Sequence, residues 1–145
     1  LAVSQNRSCG LTDEGRAFCW GSNAHGALGD GSEEIHAEPH AVQSEVEFSS
    51  IALGNLHTCA ATADGAVYCW GFNGMGQVGD ESQQDRQLPT PVAGDLMLHD
   101  LTAGAYHACG TVASGTIYCW GHALTTPLAG NGSLMLAEPM PVAGT

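Results

Sequence analysis

Cysteine and histidine are the side chains in this sequence best equipped for chemistry, and the cysteines are spaced regularly. Cys9, Cys59 and Cys109 fall at a constant step of 50, and Cys19, Cys69 and Cys119 repeat it. Two chemistries are open to such a set: metal ligation by thiolates, or covalent pairing as disulfides. Structural zinc sites draw their cysteines from pairs a few residues apart. Here the members of each pair lie ten positions apart. Disulfides are therefore expected, and with them an oxidising compartment.

The histidines are less regular. His57 and His107 share one place in the repeat, at the start of a strand on a buried face, and are read as hydrogen-bonded core residues rather than ligands or bases. Arg7 stands there in the first copy. His36 and His40, with Glu33, Glu34 and Glu38 nearby, would face one metal ion on a helix. Pro39 makes the segment a loop instead, and no metal is expected. Asp30-Gly31-Ser32-Glu33-Glu34 lacks the alternating ligand order of a calcium loop and is read as a solvated turn. Gly74, Gly76 and Gly79 have neither the helix nor the Lys of a phosphate loop, so backbone flexibility accounts for them. An enzyme would need an acid or base from His25, His36, His40 or His122, which form no recognisable set. No catalytic residue, cofactor or metal is assigned, and the protein is not expected to be an enzyme. Asn6-Arg7-Ser8 and Asn131-Gly132-Ser133 match the glycosylation acceptor pattern.

What must position the cysteines is a repeat. Trp20, Trp70 and Trp120 keep the same step, as do Gly21, Gly71 and Gly121, and Pro39, Pro89 and Pro139. Gly15, Gly65 and Gly115 keep it as well. The chain divides near 1–50, 51–100 and 101–145. In the middle copy, residues 57–62 and 66–70 read as strands about a three-residue loop, Ala63-Asp64-Gly65. Such loops want a residue with φ > 0, usually Gly, at their end. This register sets Cys59 opposite Cys69, Ala61 opposite Val67 and His57 opposite Gly71. Opposed residues in antiparallel strands come within disulfide reach, so the expected bridges are Cys9–Cys19, Cys59–Cys69 and Cys109–Cys119.

Neither face of this hairpin carries charge, so both should be covered, as in sheets stacked about an axis. Residues 48–53 and 98–103 read as preceding strands, and 89–92 as an edge strand where proline is tolerated. The three Trp residues are read as packing between sheets. Long loops near 22–38, 72–90 and 122–138 differ in sequence and are the expected contact surface for a protein partner.

Acidic residues number 15 against 3 basic ones, Arg7, Arg16 and Arg86, for a formal net charge of -12. Nucleic acid and anionic membranes, which need clustered Lys and Arg, are not expected partners. No apolar run reaches the ~20 residues of a membrane span. Residue 1 is Leu, with no signal segment before it, and the chain is read as a mature product or an excised fragment.

Gly54-Asn55-Leu56-His57-Thr58-Cys59-Ala60, Asp64 to Gly71, Asn73, Gly76-Gln77-Val78-Gly79-Asp80 and Pro91-Val92 resemble the regulator of chromosome condensation repeat. The paired cysteines resemble its secreted bacterial form. The first copy departs at Ser4 and Arg7, and the third at His122 to Pro127. The resemblance implies four-stranded propeller blades, usually seven to a ring. Three blades do not close such a ring, so further blades in a longer parent chain, or self-association, are expected. The expected function is an all-β, extracellular or cell-surface module that binds a protein through its loops. The alternatives are an architectural repeat of an adhesin or filament, and a propeller hydrolase or lyase.

Overall fold

The computed structural model describes residues 1–123 and 134–142. Three four-stranded antiparallel sheets follow one another along the chain. The first comprises β1 (Ala2–Val3), β2 (Arg7–Leu11), β3 (Ala17–Gly21) and β4 (His36–Ala41). The second comprises β5 (Ser50–Leu53), β6 (His57–Ala61), β7 (Val67–Gly71) and β8 (Arg86–Pro91). The third comprises β9 (His99–Ala103), β10 (His107–Thr111), β11 (Ile117–Ala123) and β12 (Leu134–Pro141). In each sheet, spatial order follows chain order, so every connection is a simple hairpin.

The central hairpin forms for a local reason. Gly65 donates its N–H to the Thr62 carbonyl at 3.0 Å with φ +96°, a conformation that costs other residues about 1–2 kcal/mol. The turn sets Cys59 opposite Cys69, and the same register recurs at Cys9 with Cys19 and Cys109 with Cys119. All three pairs are disulfides with Cα atoms 4.1 Å apart, and no described cysteine is free.

The outer strands start elsewhere than the sequence suggests. The edge strand read at 89–92 begins at Arg86 and ends at Pro91. A register shift between Cys69 and Gly71 takes up the extra residues. The prolines stay at the edge, where no donor is lost. The strand read from Phe48 begins at Ser50, because Phe48 is spent on packing against the preceding sheet.

The core lies between sheets rather than within them. One cluster joins Cys9, Cys19, Leu28 and Val42 to Phe48, which leads into the second sheet, and to Ala60 and Trp70 of that sheet. The other joins Cys59, Cys69 and Val78 to Leu98, Ala108 and Trp120. The Cys9–Cys19 and Cys59–Cys69 disulfides are therefore part of the floor on which the next sheet sits. Burial of apolar surface between sheets is what holds the stack together.

Candidate interaction face

Two of the long loops, residues 22–35 and 72–85, are built on one buried framework. Asn23 Oδ1 accepts the Leu28 N–H at 2.8 Å, and its Nδ2 donates to Asp30 Oδ1 and to the Ser32 carbonyl, both at 3.1 Å. Asn73 does the same with Val78 at 2.9 Å, Asp80 at 3.0 Å and the Ser82 carbonyl at 3.1 Å. Both amides are fully buried, so these bonds fix the loop shape without competition from water.

Asp30 and Asp80 are the hubs of the two loops. Each takes the N–H of the Ser two positions on, at 2.9 and 3.1 Å. The Asp30 side chain is only 5% exposed, which overturns its reading as a solvated turn. Burial pushes its carboxyl up, but hydrogen bonds from Ser32, His36 and Asn23 outweigh this and hold it below the ordinary carboxylate value. Asp80 is likewise held down, against its burial, by hydrogen bonds from Ser82 and Arg86 and by the Arg86 charge. Arg86 Nε stands 2.6 Å from Asp80 Oδ2.

The inner part of each loop is a socket for the following sheet. Trp70 Nε1 donates to the Ala27 carbonyl at 3.1 Å, and Trp120 Nε1 to the Gln77 carbonyl at 2.9 Å. Thr58 Oγ1 also donates to Ala27, at 2.8 Å. A Cβ on Gly29 would lie 2.6 Å from the Trp70 indole, and one on Gly79 2.7 Å from Trp120. The loop glycine is thus required by close approach, not by flexibility as the sequence suggested. Trp70 and Trp120 are fully buried, and Trp20, in the first sheet, is only partly so.

Other contacts secure the same junctions. Phe48 N–H donates to the Gly15 carbonyl and Leu98 N–H to the Gly65 carbonyl, both at 2.8 Å. Gly15 and Gly65 are therefore packed under the next sheet, whereas no atom of the described residues lies within 4 Å of a Cβ placed on Gly115. Buried Arg7 reaches from the first sheet to the carbonyls of Gly54, Asn55 and His57. Burial without a counter-ion lowers its pKa to about 10. His57 is fully buried, but neither of its ring nitrogens has a hydrogen-bond partner at normal geometry. The core position expected of this histidine holds, and a contact with the His107 backbone raises its pKa against the burial. Burial foremost, then the Arg7 charge, lowers its pKa to about 3.

What the socket leaves free is the tip of each loop. Glu33, Glu34 and Ile35 are exposed in the first, and Gln83, Gln84 and Asp85 in the second. The third loop and Asn131 lie outside the described residues. Here β11 and β12 pair as far as Ala123 with Leu134, where the other copies have already left the sheet for their Asn-anchored loops. Of the four histidines considered for acid–base chemistry, the structure brings only His36 and His40 together. His25 Nδ1 meets Asp85 Oδ2 at 2.6 Å across the two loops, while His36 and His40 lie over Asp30. His122 is on β11.

Asn73 and Asp80 carry the family resemblance, but the anchoring role of the Asn, Asp and Ser side chains is not read from the sequence. The signal was present, since Asn23 and Asn73, Gly26 and Gly76, Asp30 and Asp80, and Ser32 and Ser82 all keep the step of 50.

A family model described as "Regulator of chromosome condensation (RCC1) repeat" matches residues 14–61 and 64–110, and a second of that description matches 48–77. Among solved structures, yeast RCC1 (Prp20) bound to Kap60 is similar with a TM-score of 0.85 and 23% identity, over 99% of this chain and 36% of that one. Human WBSCR16 is similar at 0.83 and 22%, over 96% of this chain and 36% of that one. The entire ectodomain of the Physcomitrella patens receptor kinase CR4 is similar at 0.52 and 24%, over 80% of this chain and 28% of that one. At these identities the likeness is one of fold, that of a β-propeller segment, and the chain spans little more than a third of the first two structures. No curated protein matches the chain in sequence.

Proposed function

The chain belongs to the regulator of chromosome condensation repeat family, and from that premise we propose that it supplies three blades of an extracellular propeller whose loop tips bind a protein partner. The observation that carries this reading is the contrast within one framework. The two described loops share their Asn, Asp and Ser anchors, yet display Glu33-Glu34-Ile35 in one and Gln83-Gln84-Asp85 in the other. Rigid supports under differing tips are how a scaffold presents specificity.

Charge adds to the argument. Arg7 is buried and Arg86 is neutralised by its pairing with Asp80, so two of the three basic residues add little positive charge to the surface. The surface is left acidic, which favours a basic partner and speeds its approach. The disulfides support an oxidising setting. The related yeast protein was solved bound to another protein, Kap60, and CR4 as an ectodomain.

The test is a binding measurement with the oxidised chain against the secreted proteins of its own source. A partner retained by the wild type and lost with Glu33→Lys plus Ile35→Ser supports the reading. A partner lost equally with Ser114→Lys, on the hairpin turn of the third blade, overturns it.

A second reading, architectural, rests on the ends of the stack. Trp20 is partly uncovered, Leu1 and Val3 are exposed, and among the described residues nothing packs on Gly115 where Gly15 and Gly65 have the next sheet. Further blades, from a longer parent chain or a second copy, would cover these positions. Light scattering that gave a stable monomer of this chain would remove self-association.

A further inference from the structure

The two described loop hubs are solved differently on their outward side, and the difference is chemical. In both, Oδ1 of the Asp is taken up by the Asn amide and the Ser N–H of its own loop. Oδ2 faces the fourth strand. In the second blade Arg86 supplies a permanent cation to it at 2.6 Å. The residue one step of 50 earlier is His36, whose Nε2 lies 2.7 Å from Asp30 Oδ2. Four residues further on, Thr90 turns its hydroxyl to the Leu88 carbonyl in the second blade. Its counterpart His40 instead brings a second imidazole, with Nε2 at 3.9 Å from the same carboxylate oxygen.

Pro39 does not hold these histidines in a loop. They lie on strand β4, and the register shift between Cys19 and Gly21 turns both rings to Asp30. The rings are parallel to within 2° with centroids 3.9 Å apart. One donor atom from each of Asp30, His36 and His40 lies within 4.8 Å of the others. The carboxylate is 5% exposed, His36 21% and His40 51%, so the cluster has a rigid base and an open, adjustable outer member.

We propose that Asp30, His36 and His40 bind one divalent transition-metal ion of the zinc class, in the place that the Arg86 guanidinium fills in the next blade. Two imidazoles and a carboxylate are a ligand set suited to zinc, copper or nickel rather than to calcium or magnesium. Zinc bonds of about 2.0–2.2 Å put two tetrahedral neighbours roughly 3.4 Å apart. His36 needs little movement to reach this, and His40, half exposed, swings in. The remaining position is left to water. Where Arg86 brings a permanent cation to the second hub, a divalent ion brings one to Asp30. This assignment is independent of whether the loop tips bind a protein.

The probe is zinc chloride added to the oxidised chain at pH 7.5, read by titration calorimetry and thermal unfolding. All six cysteines are in disulfides, so no thiolate competes. One ion should bind per chain and raise the melting temperature. His40→Gln should weaken binding at least tenfold. His36→Arg, which copies the second blade, should abolish both binding and the zinc-induced rise while keeping the fold. Cobalt should give a visible spectrum in the wild type that His36→Arg loses. No stoichiometric binding by the wild type overturns the proposal. So does binding that survives unchanged in both variants, which would place the ion elsewhere, for example at His25 and Asp85.

Discussion

Trp70→Ala and Trp20→Ala remove the same indole from the same position of the third strand, yet they should differ several-fold in cost. Trp70 is fully buried between the first two sheets, beside Leu28 and Phe48 and above Gly29. Truncating a buried Trp costs about 3–5 kcal/mol through lost burial and the cavity left behind. Loss of its bond to Ala27 contributes roughly 0.5–1.5 kcal/mol of this. It strands no acceptor, because Thr58 still donates to that carbonyl. Trp20 lies on the outer side of the first sheet and is partly exposed, so its truncation should cost about 1–2 kcal/mol. Trp70→Phe, which keeps most of the ring and loses the N–H, should fall between. The assay is urea unfolding of the oxidised chain, with unchanged m-values required so that midpoint shifts report stability. Equal costs for Trp20→Ala and Trp70→Ala would refute the reasoning, because the indole would then be stabilised within its own blade and not by the neighbouring loop.

Other outcomes can be measured on the same chain. Gly65→Ala suffers both φ +96° and a contact of 3.0 Å with the Leu98 N–H, whereas Gly115→Ala suffers φ +93° alone. The first should therefore cost more than the roughly 1–2 kcal/mol expected of the second. Glu81 holds φ +66° where the first loop has Gly31, so Glu81→Gly should stabilise by roughly 0.5–1 kcal/mol in the same denaturation assay. His57 has a folded pKa of about 3 against 6.5 for the free side chain. Between those values the unfolded chain holds a proton that the folded chain does not. Its contribution to stability is thus complete above pH 6.5 and is lost as pH falls toward 3, at about 1 kcal/mol per unit. Arg7 and His107 are the charged and titratable groups acting on it, and His57→Leu should flatten the stability profile in that window. Removing Cys59 and Cys69 together should cost ~2–3 kcal/mol by the loop-entropy relation, read as a lower urea midpoint.

Local chemistry was the legible part of this chain. The hairpin register follows from the cysteine spacing and the turn glycine, both of which act within a dozen residues. Burial was not legible in that way. Trp20 and Trp70 have the same sequence surroundings and different exposures, because what covers an indole is the loop of the preceding blade. Asp30 was misread for a similar reason. A short polar run looks solvated until Asn23, seven positions earlier, is seen to close over it. The start of β4 was hidden by Pro39, which breaks a central strand but is harmless on an edge. His57 shows the remaining difficulty. Its burial follows from its position on an uncharged face, but the geometry of its ring depends on the neighbouring sheet.

The tryptophan contact also has a direction. The indole always belongs to the later blade and the socket to the earlier one, so the two ends of the stack are different surfaces. Copies joined by this contact add head to tail and do not pair across a two-fold axis. Such addition either returns on itself or runs on as an open polymer, according to the angle between successive sheets. A blade with an indole face but no socket would add at the later end and stop growth there.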